Sequence, residues 1–137
     1  MSFSGNTYSL KIISSAGVFY EGRAISIIVP CINGEIALMA HHEDIVIAVD
    51  PGIMRYETED GTWHEAAVAT GSVQFANNRC TVLVDTCEKP ENIDRKRAQA
   101  ALERAQEQMR QCKSMGEYRM TQASLARALT RLRITKE

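Results

Sequence analysis

The chain is poor in the features that announce most functions. No stretch approaches the ~20 apolar residues that a membrane-spanning helix needs, so direct membrane insertion is not expected. Its first residues, Met1-Ser2-Phe3-Ser4-Gly5-Asn6, lack the basic and apolar regions of a secretory signal. The four cysteines (Cys31, Cys80, Cys87, Cys112) show no CxxC spacing and lie among mostly apolar neighbours, which favours buried thiols over a disulfide framework or a zinc site. No Gly-x-Ser-x-Gly, phosphate loop or Cys–His motif is present. Nothing therefore favours an enzyme, and no catalytic residue is assigned. His41-His42-Glu43-Asp44 is the most metal-like cluster. Adjacent residues of a strand face opposite ways, however, so the two histidines are poorly placed to share an ion, and no metal is assigned.

The proline and aromatic content is also thin. Only three prolines occur, and none follows Pro90. That position marks a change of pattern. Before it, apolar residues recur at every second position, punctuated by Gly, Asn and Asp; after it they recur every three or four positions. The net charge of −1 hides a division at the same place: residues 1–90 hold five basic and eleven acidic side chains, residues 91–137 eleven basic and six acidic. An acidic sheet region joined to a basic helical tail implies two surfaces with different partners.

Tyr8–Ser14 alternates as a half-buried strand should, and Ser15-Ala16-Gly17 reads as a turn. Val18–Tyr20 and Arg23–Val29 read as separate strands interrupted by Glu21-Gly22, with a loop from Pro30 to Gly34. Further short strands are predicted at Glu35–Met39, Ile45–Val49, Ile53–Thr58, Thr62–Ala69, Ser72–Ala76 and Arg79–Asp85. Glu59-Asp60-Gly61 and Asn77-Asn78 are hairpin signals, because Gly and Asn accept the positive φ that tight turns require. This spacing points to an antiparallel sandwich or barrel.

The tail reads as two antiparallel helices. Asn92 and Asp94 both suit the cap of the first, whose stripe is Ala98, Ala101, Leu102, Ala105, Met109 and Cys112. Ser114-Met115-Gly116 separates the helices, with Gly116 as a helix terminator. The second stripe is Tyr118, Leu125, Ala128, Leu129 and Leu132. So many alanines bury little area, and isolated helices of this length are marginal in water. The hairpin is expected to be detachable from whatever it packs on. The overall expectation is an α+β chain, residues 1–88 forming the β-sandwich and 89–137 the helical hairpin.

With both halves in view, the sequence resembles the epsilon subunit of bacterial and chloroplast F-type ATP synthases over nearly its whole length. Three blocks carry the resemblance: Pro30-Cys31-Ile32-Asn33-Gly34-Glu35-Ile36-Ala37-Leu38-Met39-Ala40-His41-His42 with Pro51-Gly52; Thr70-Gly71-Ser72 through Val84-Asp85; and Ile93-Asp94-Arg95-Lys96-Arg97-Ala98. Ala37 departs from the usual Gly, Ala40 and Asp44 from the usual Pro, and Thr70 from a common Gly.

The resemblance implies a sandwich of about ten strands that binds the gamma subunit and the ring of c subunits as part of a non-catalytic rotor. Glu35 and His42 match family positions in the loop that approaches the ring. It also implies that the helices either fold onto the sandwich or extend along gamma into the alpha and beta subunits of the catalytic head, where they inhibit ATP hydrolysis. The expected location is peripheral, at the cytoplasmic face of a bacterial plasma membrane, in preference to a chloroplast thylakoid. No cofactor is required, but ATP binds the folded hairpin in some members. The matching positions here are Glu88, Ile93, Asp94, Arg97, Ala98, Arg127 and Arg131. Arg127 and Arg131 are four apart and so share a helix face, and a guanidinium can fork onto phosphate oxygens. The blander reading of these residues is a helix cap, an i,i+3 pair and a solvated basic face. The competing function is a nucleic-acid-binding module built on the basic tail. Against it, Tyr118 is the tail's one aromatic residue, and the acidic sheet would repel phosphates.

Overall fold

A computed structural model describes residues 6–135; the remaining ends of the two predicted segments, 1–5 and 136–137, lie outside the described residues. The described chain forms nine strands: β1 (Tyr8–Ser14), β2 (Gly17–Cys31), β3 (Gly34–Met39), β4 (Ile45–Val49), β5 (Gly52–Thr58), β6 (Trp63–Val68), β7 (Gly71–Ala76), β8 (Arg79–Val84) and β9 (Cys87–Glu88). A 3₁₀ turn at Pro90–Asn92 leads into helices α1 (Arg95–Arg110) and α2 (Met115–Ile134).

Strand β2 organises the sandwich. Its first half, Gly17–Ala24, pairs with β1. Its second half, Ser26–Cys31, pairs with β3, and Ala24–Ile28 also pairs with β5. One layer therefore runs β4-β7-β8-β1-β2 and the other β3-β2-β5-β6-β9. The break expected at Glu21-Gly22 does not occur. A bulge at Phe19 takes up the irregularity, because Ile12 faces Tyr20 while Ile13 faces Val18. The Tyr20 side chain lies over Gly22, filling the space that a missing Cβ would leave open. The expected loop before Gly34 shrinks to Ile32-Asn33, since Pro30 and Cys31 continue the strand. All pairings are antiparallel except β1 with β8.

Alternation turns Tyr8, Leu10 and Ile12 of β1, Ile27 and Val29 of β2, Met54 of β5, Phe75 of β7 and Val82 of β8 into one buried core. Tyr8 spans the layers: its ring meets Phe75 edge-on at 5.1 Å, and its hydroxyl donates to the Leu38 carbonyl oxygen at 2.8 Å. Burial raises its pKa well above the ordinary tyrosine value. Asn77 (φ 53°) and Asn78 (φ 58°) make the tight β7–β8 turn, and Gly61 (φ 87°) lies in the β5–β6 turn.

In the tail, Asp94 caps α1, its side chain accepting from the Lys96 and Arg97 amides. Asn92 instead lies in the 3₁₀ turn. Gly116 does not end a helix. Ser114 starts one, accepting from the Glu117 amide while Glu117 accepts from the Lys113 amide. The predicted α1 stripe is the inward face, with Ala98 and Ala105 fully buried. On α2, however, Tyr118 and Leu129 are 43% and 49% exposed, and the buried residues are Thr121, Ala128, Thr130 and Ile134. The reason is that α2 lies between α1 and strands β5 and β6, so it covers residues on two sides. The buried core of the sandwich ends at Val84 and includes no helix residue.

Candidate functional site

The chain leaves the sheet through β9, held by Ala67 facing Glu88 and Val68 facing Cys87. It turns at Pro90 and enters α1 under the Asp94 cap. Helix α2 returns antiparallel, bringing Arg131 back beside Glu88. There the Arg131 Nε donates to Glu88 Oε1 at 2.7 Å, with both side chains about two-thirds buried (31% and 32% exposed). The result is a cleft of about 400 Å³ between sheet edge and hairpin, within the size range of small-molecule sites.

Six of the seven nucleotide candidates line this cleft: Glu88, Ile93, Asp94, Arg97, Ala98 and Arg131. Arg127 does not. Although it lies one turn before Arg131, its guanidinium reaches Asp85 at 3.9 Å and Ser124 Oγ at 3.4 Å. It borders a separate depression of about 600 Å³ lined by both helices, with Gln108, Cys112 and Met120. Sequence reasoning missed Arg104, Ala101 and Asn92, which also line the first cleft. Ala100 lines it as well, and helical spacing could have found three of these four, because Ala100, Ala101 and Arg104 follow Arg97 at i+3, i+4 and i+7 and so share its face.

The cleft is chemically divided. Ile93, Ala98 and Ala101 form an apolar wall, and Arg97, Arg104 and Arg131 supply three guanidinium groups. Asp94 is committed to the helix cap, its Oδ1 accepting from Lys96 N at 3.0 Å and Arg97 N at 3.2 Å. Such a set suits an anion attached to a flat, weakly polar body. The neighbouring Cys87 thiol offers no nucleophile, since burial, with a smaller effect from Glu88, pushes its pKa up to about 12.

The two loop candidates are not brought together. Glu35 is the second residue of β3, and both of its carboxylate oxygens accept from the Arg55 Nη2 at 3.1 Å. His42 lies beyond the far end of β3, with its Nδ1 2.8 Å from the Glu43 carbonyl oxygen and its ring 5.8 Å from Phe75. Roughly 13 Å of strand separates Glu35 from Met39 alone, at about 3.3 Å per residue. His41, at φ 66°, turns the chain and donates its amide to Asn78 Oδ1 at 2.7 Å. Among the described residues no group of three or more His, Cys, Asp or Glu is placed to hold a metal ion.

The family model described as the ATP synthase Delta/Epsilon chain beta-sandwich domain matches residues 7–90, and that of the long alpha-helix domain matches residues 91–136. The chain belongs to the ATP synthase delta/epsilon chain family. The ATP synthase epsilon chain of Caldicellulosiruptor bescii is 39% identical over 130 residues, covering 95% of this chain and 94% of the relative. That of Caldicellulosiruptor saccharolyticus is 38% identical with the same coverage. A chain in the structure of the Euglena gracilis mitochondrial ATP synthase shares the fold, with a TM-score of 0.76 over 92% of this chain and 79% of its own, at 19% identity. Among the described residues no helix is long and apolar enough to cross a membrane.

Proposed function

We propose that this chain is the non-catalytic epsilon-type subunit of an ATP synthase central stalk, turning with the gamma subunit and the c-ring. Its place is peripheral, at the cytoplasmic face of a bacterial plasma membrane. Residues 1–88 form the assembly platform and residues 89–137 the regulatory hairpin, which restrains ATP hydrolysis when it extends toward the alpha and beta subunits. The observation that carries the regulatory part is the composition of the core: the sandwich closes its apolar interior without any helix residue. Releasing the hairpin therefore leaves that core intact. The comparisons, which match ATP synthase chains over both segments, give the nucleic-acid reading no support.

The cleft beside β9 is a site for regulatory ATP, with Arg97, Arg104 and Arg131 toward the phosphates and Ile93, Ala98 and Ala101 toward the base. Arg127 stands outside it. Glu35 and His42 serve as two separate contacts toward the ring rather than one. ATP favours the docked hairpin only by the difference between its affinities for the docked and extended states.

Deleting residues 91–137 tests the assignment. The truncated subunit should still bind gamma and assemble, and hydrolysis by the complex should rise. Loss of gamma binding would show that the platform is misplaced, and unchanged hydrolysis would remove the restraining role. Calorimetry of the isolated subunit tests the cleft, where Arg97→Ala and Arg131→Ala should each weaken ATP binding.

A further inference from the structure

The loop that carries His42 has little of its own to hold it. Residues 40–44, between β3 and β4, contain no proline. His41 sits at φ 66°, a backbone conformation that an L side chain adopts only at a cost. The restraint comes from a distant turn. Asn78 Oδ1 accepts from the His41 amide at 2.7 Å, across thirty-seven residues of sequence. Its Nδ2 donates to the Thr7 carbonyl oxygen at 3.1 Å, and its backbone carbonyl accepts from the Ser9 amide at 3.3 Å. One half-buried residue thus ties the loop to the start of β1. Asn78 holds the second position of the β7–β8 turn at φ 58°, a conformation that Gly, Asn and Asp accept. Of the three, Asn alone brings a side chain with both an acceptor and a donor. The same hairpin supports the loop again, since the His42 ring meets the buried Phe75 ring edge-on at 5.8 Å.

From this geometry we infer that Asn78 is a positioning residue, acting through the His41 amide, which presets residues 40–44 so that His42 meets its partner on a loop already ordered. The inference rests on the reading of His42 as a contact toward the ring and adds what holds it in place. A loop left free would order only on binding, and the freedom lost would be subtracted from affinity. A clamp formed on folding removes that cost in advance.

The test measures association of the full chain with an assembly of gamma and c-ring that lacks this subunit. It compares the parent, Asn78→Gly, Asn78→Asp, His42→Ala and the Asn78→Gly/His42→Ala pair, and hydrogen exchange of the His41 amide reads the clamp itself. Gly accepts the φ of the turn, so Asn78→Gly should keep the β7 and β8 amides protected while the His41 amide exchanges faster. Its affinity should fall about fivefold, the scale of one neutral hydrogen bond. Slower association should carry that loss, because a loop ordered part of the time presents His42 part of the time. Asn78→Asp keeps an acceptor for His41 and no donor for Thr7, and should restore His41 protection and most of the affinity. In the His42→Ala background, Asn78→Gly should cost no further affinity. Unchanged binding by Asn78→Gly beside weakened binding by His42→Ala would overturn the inference and leave the contact standing. A loss confined to faster dissociation would overturn it by making Asn78 a direct contact. Binding by Asn78→Asp as weak as that of Asn78→Gly would overturn it by moving the effect to the Thr7 tie. If His42→Ala binds as the parent does, the contact reading itself falls and takes this role with it.

Discussion

Arg95, the first residue of α1, donates through Nη1 to the Leu132 carbonyl oxygen at 3.0 Å and to Thr135 Oγ1 at 3.2 Å, closing the base of the hairpin over the last turn of α2. A cation there adds a charged donor to a last-turn carbonyl that the Thr135 hydroxyl also reaches at 3.2 Å, and opposes the negative end of the helix dipole. Arg95→Ala should destabilise that last turn by ~1 kcal/mol. Hydrogen exchange should quicken at Leu132–Thr135 while the strand amides keep their protection.

Gly71 is the sheet position least able to carry a side chain. A Cβ there would collide with the Leu83 carbonyl oxygen and stand 2.6 Å from the Val84 Cα, both backbone atoms of the paired strand. Nothing in such a contact can swing aside. Gly71→Ala should cost about 3 kcal/mol, read as a lower urea midpoint with unchanged slope.

Tyr8→Phe keeps the ring against Phe75 and removes only the hydroxyl that reaches Leu38 across the layers. The Leu38 carbonyl would remain buried without that donor. The expected loss is ~1–3 kcal/mol by denaturant unfolding, with AMP or ATP binding in the distant cleft unaltered.

Alkaline pH should destabilise the chain for a definable reason. Burial pushes the Cys80 and Cys87 thiols from 9.0 up to about 12, and Tyr56 from 10.0 up to about 12. Between about pH 9 and 12 the unfolded chain has released these protons while the folded chain retains them. Stability is thus fully present below pH 9 and falls as pH rises toward 12. Urea midpoints at pH 8, 9.5 and 10.5 should decline in that order, and Cys80→Ala should flatten part of the slope.

Much of this architecture is legible in the residues, and the exceptions share a cause. Period-two alternation places most strands, Asn77-Asn78 and the turn at Gly61 join the pairs expected of them, and Asp94 caps α1. These are local properties, decided by backbone conformation and neighbouring side chains. What escaped depends on distant partners. Strand β9 has two residues and exists only because β6 pairs with it. The unbroken course of β2 depends on a bulge opposite Ile12 and Ile13. Tyr118 and Leu129 fall outside the buried face because the sheet, rather than helical spacing alone, decides what α2 covers. In the cleft, the resemblance supplied six positions, and spacing alone could have added Ala100, Ala101 and Arg104. The direction taken by Arg127 depends on Asp85, forty-two residues earlier in sequence, a pairing that no helical period contains.

The fifteen residues of β2 carry a mechanical consequence. In a sandwich whose halves meet only through side chains, a tangential force on one half is resisted by weak, non-directional contacts. Here covalent backbone runs from one half into the other, and a lateral load reaches the far side through bonds that neither creep nor slip. Such a part is suited to being turned by one neighbour while pressing on another.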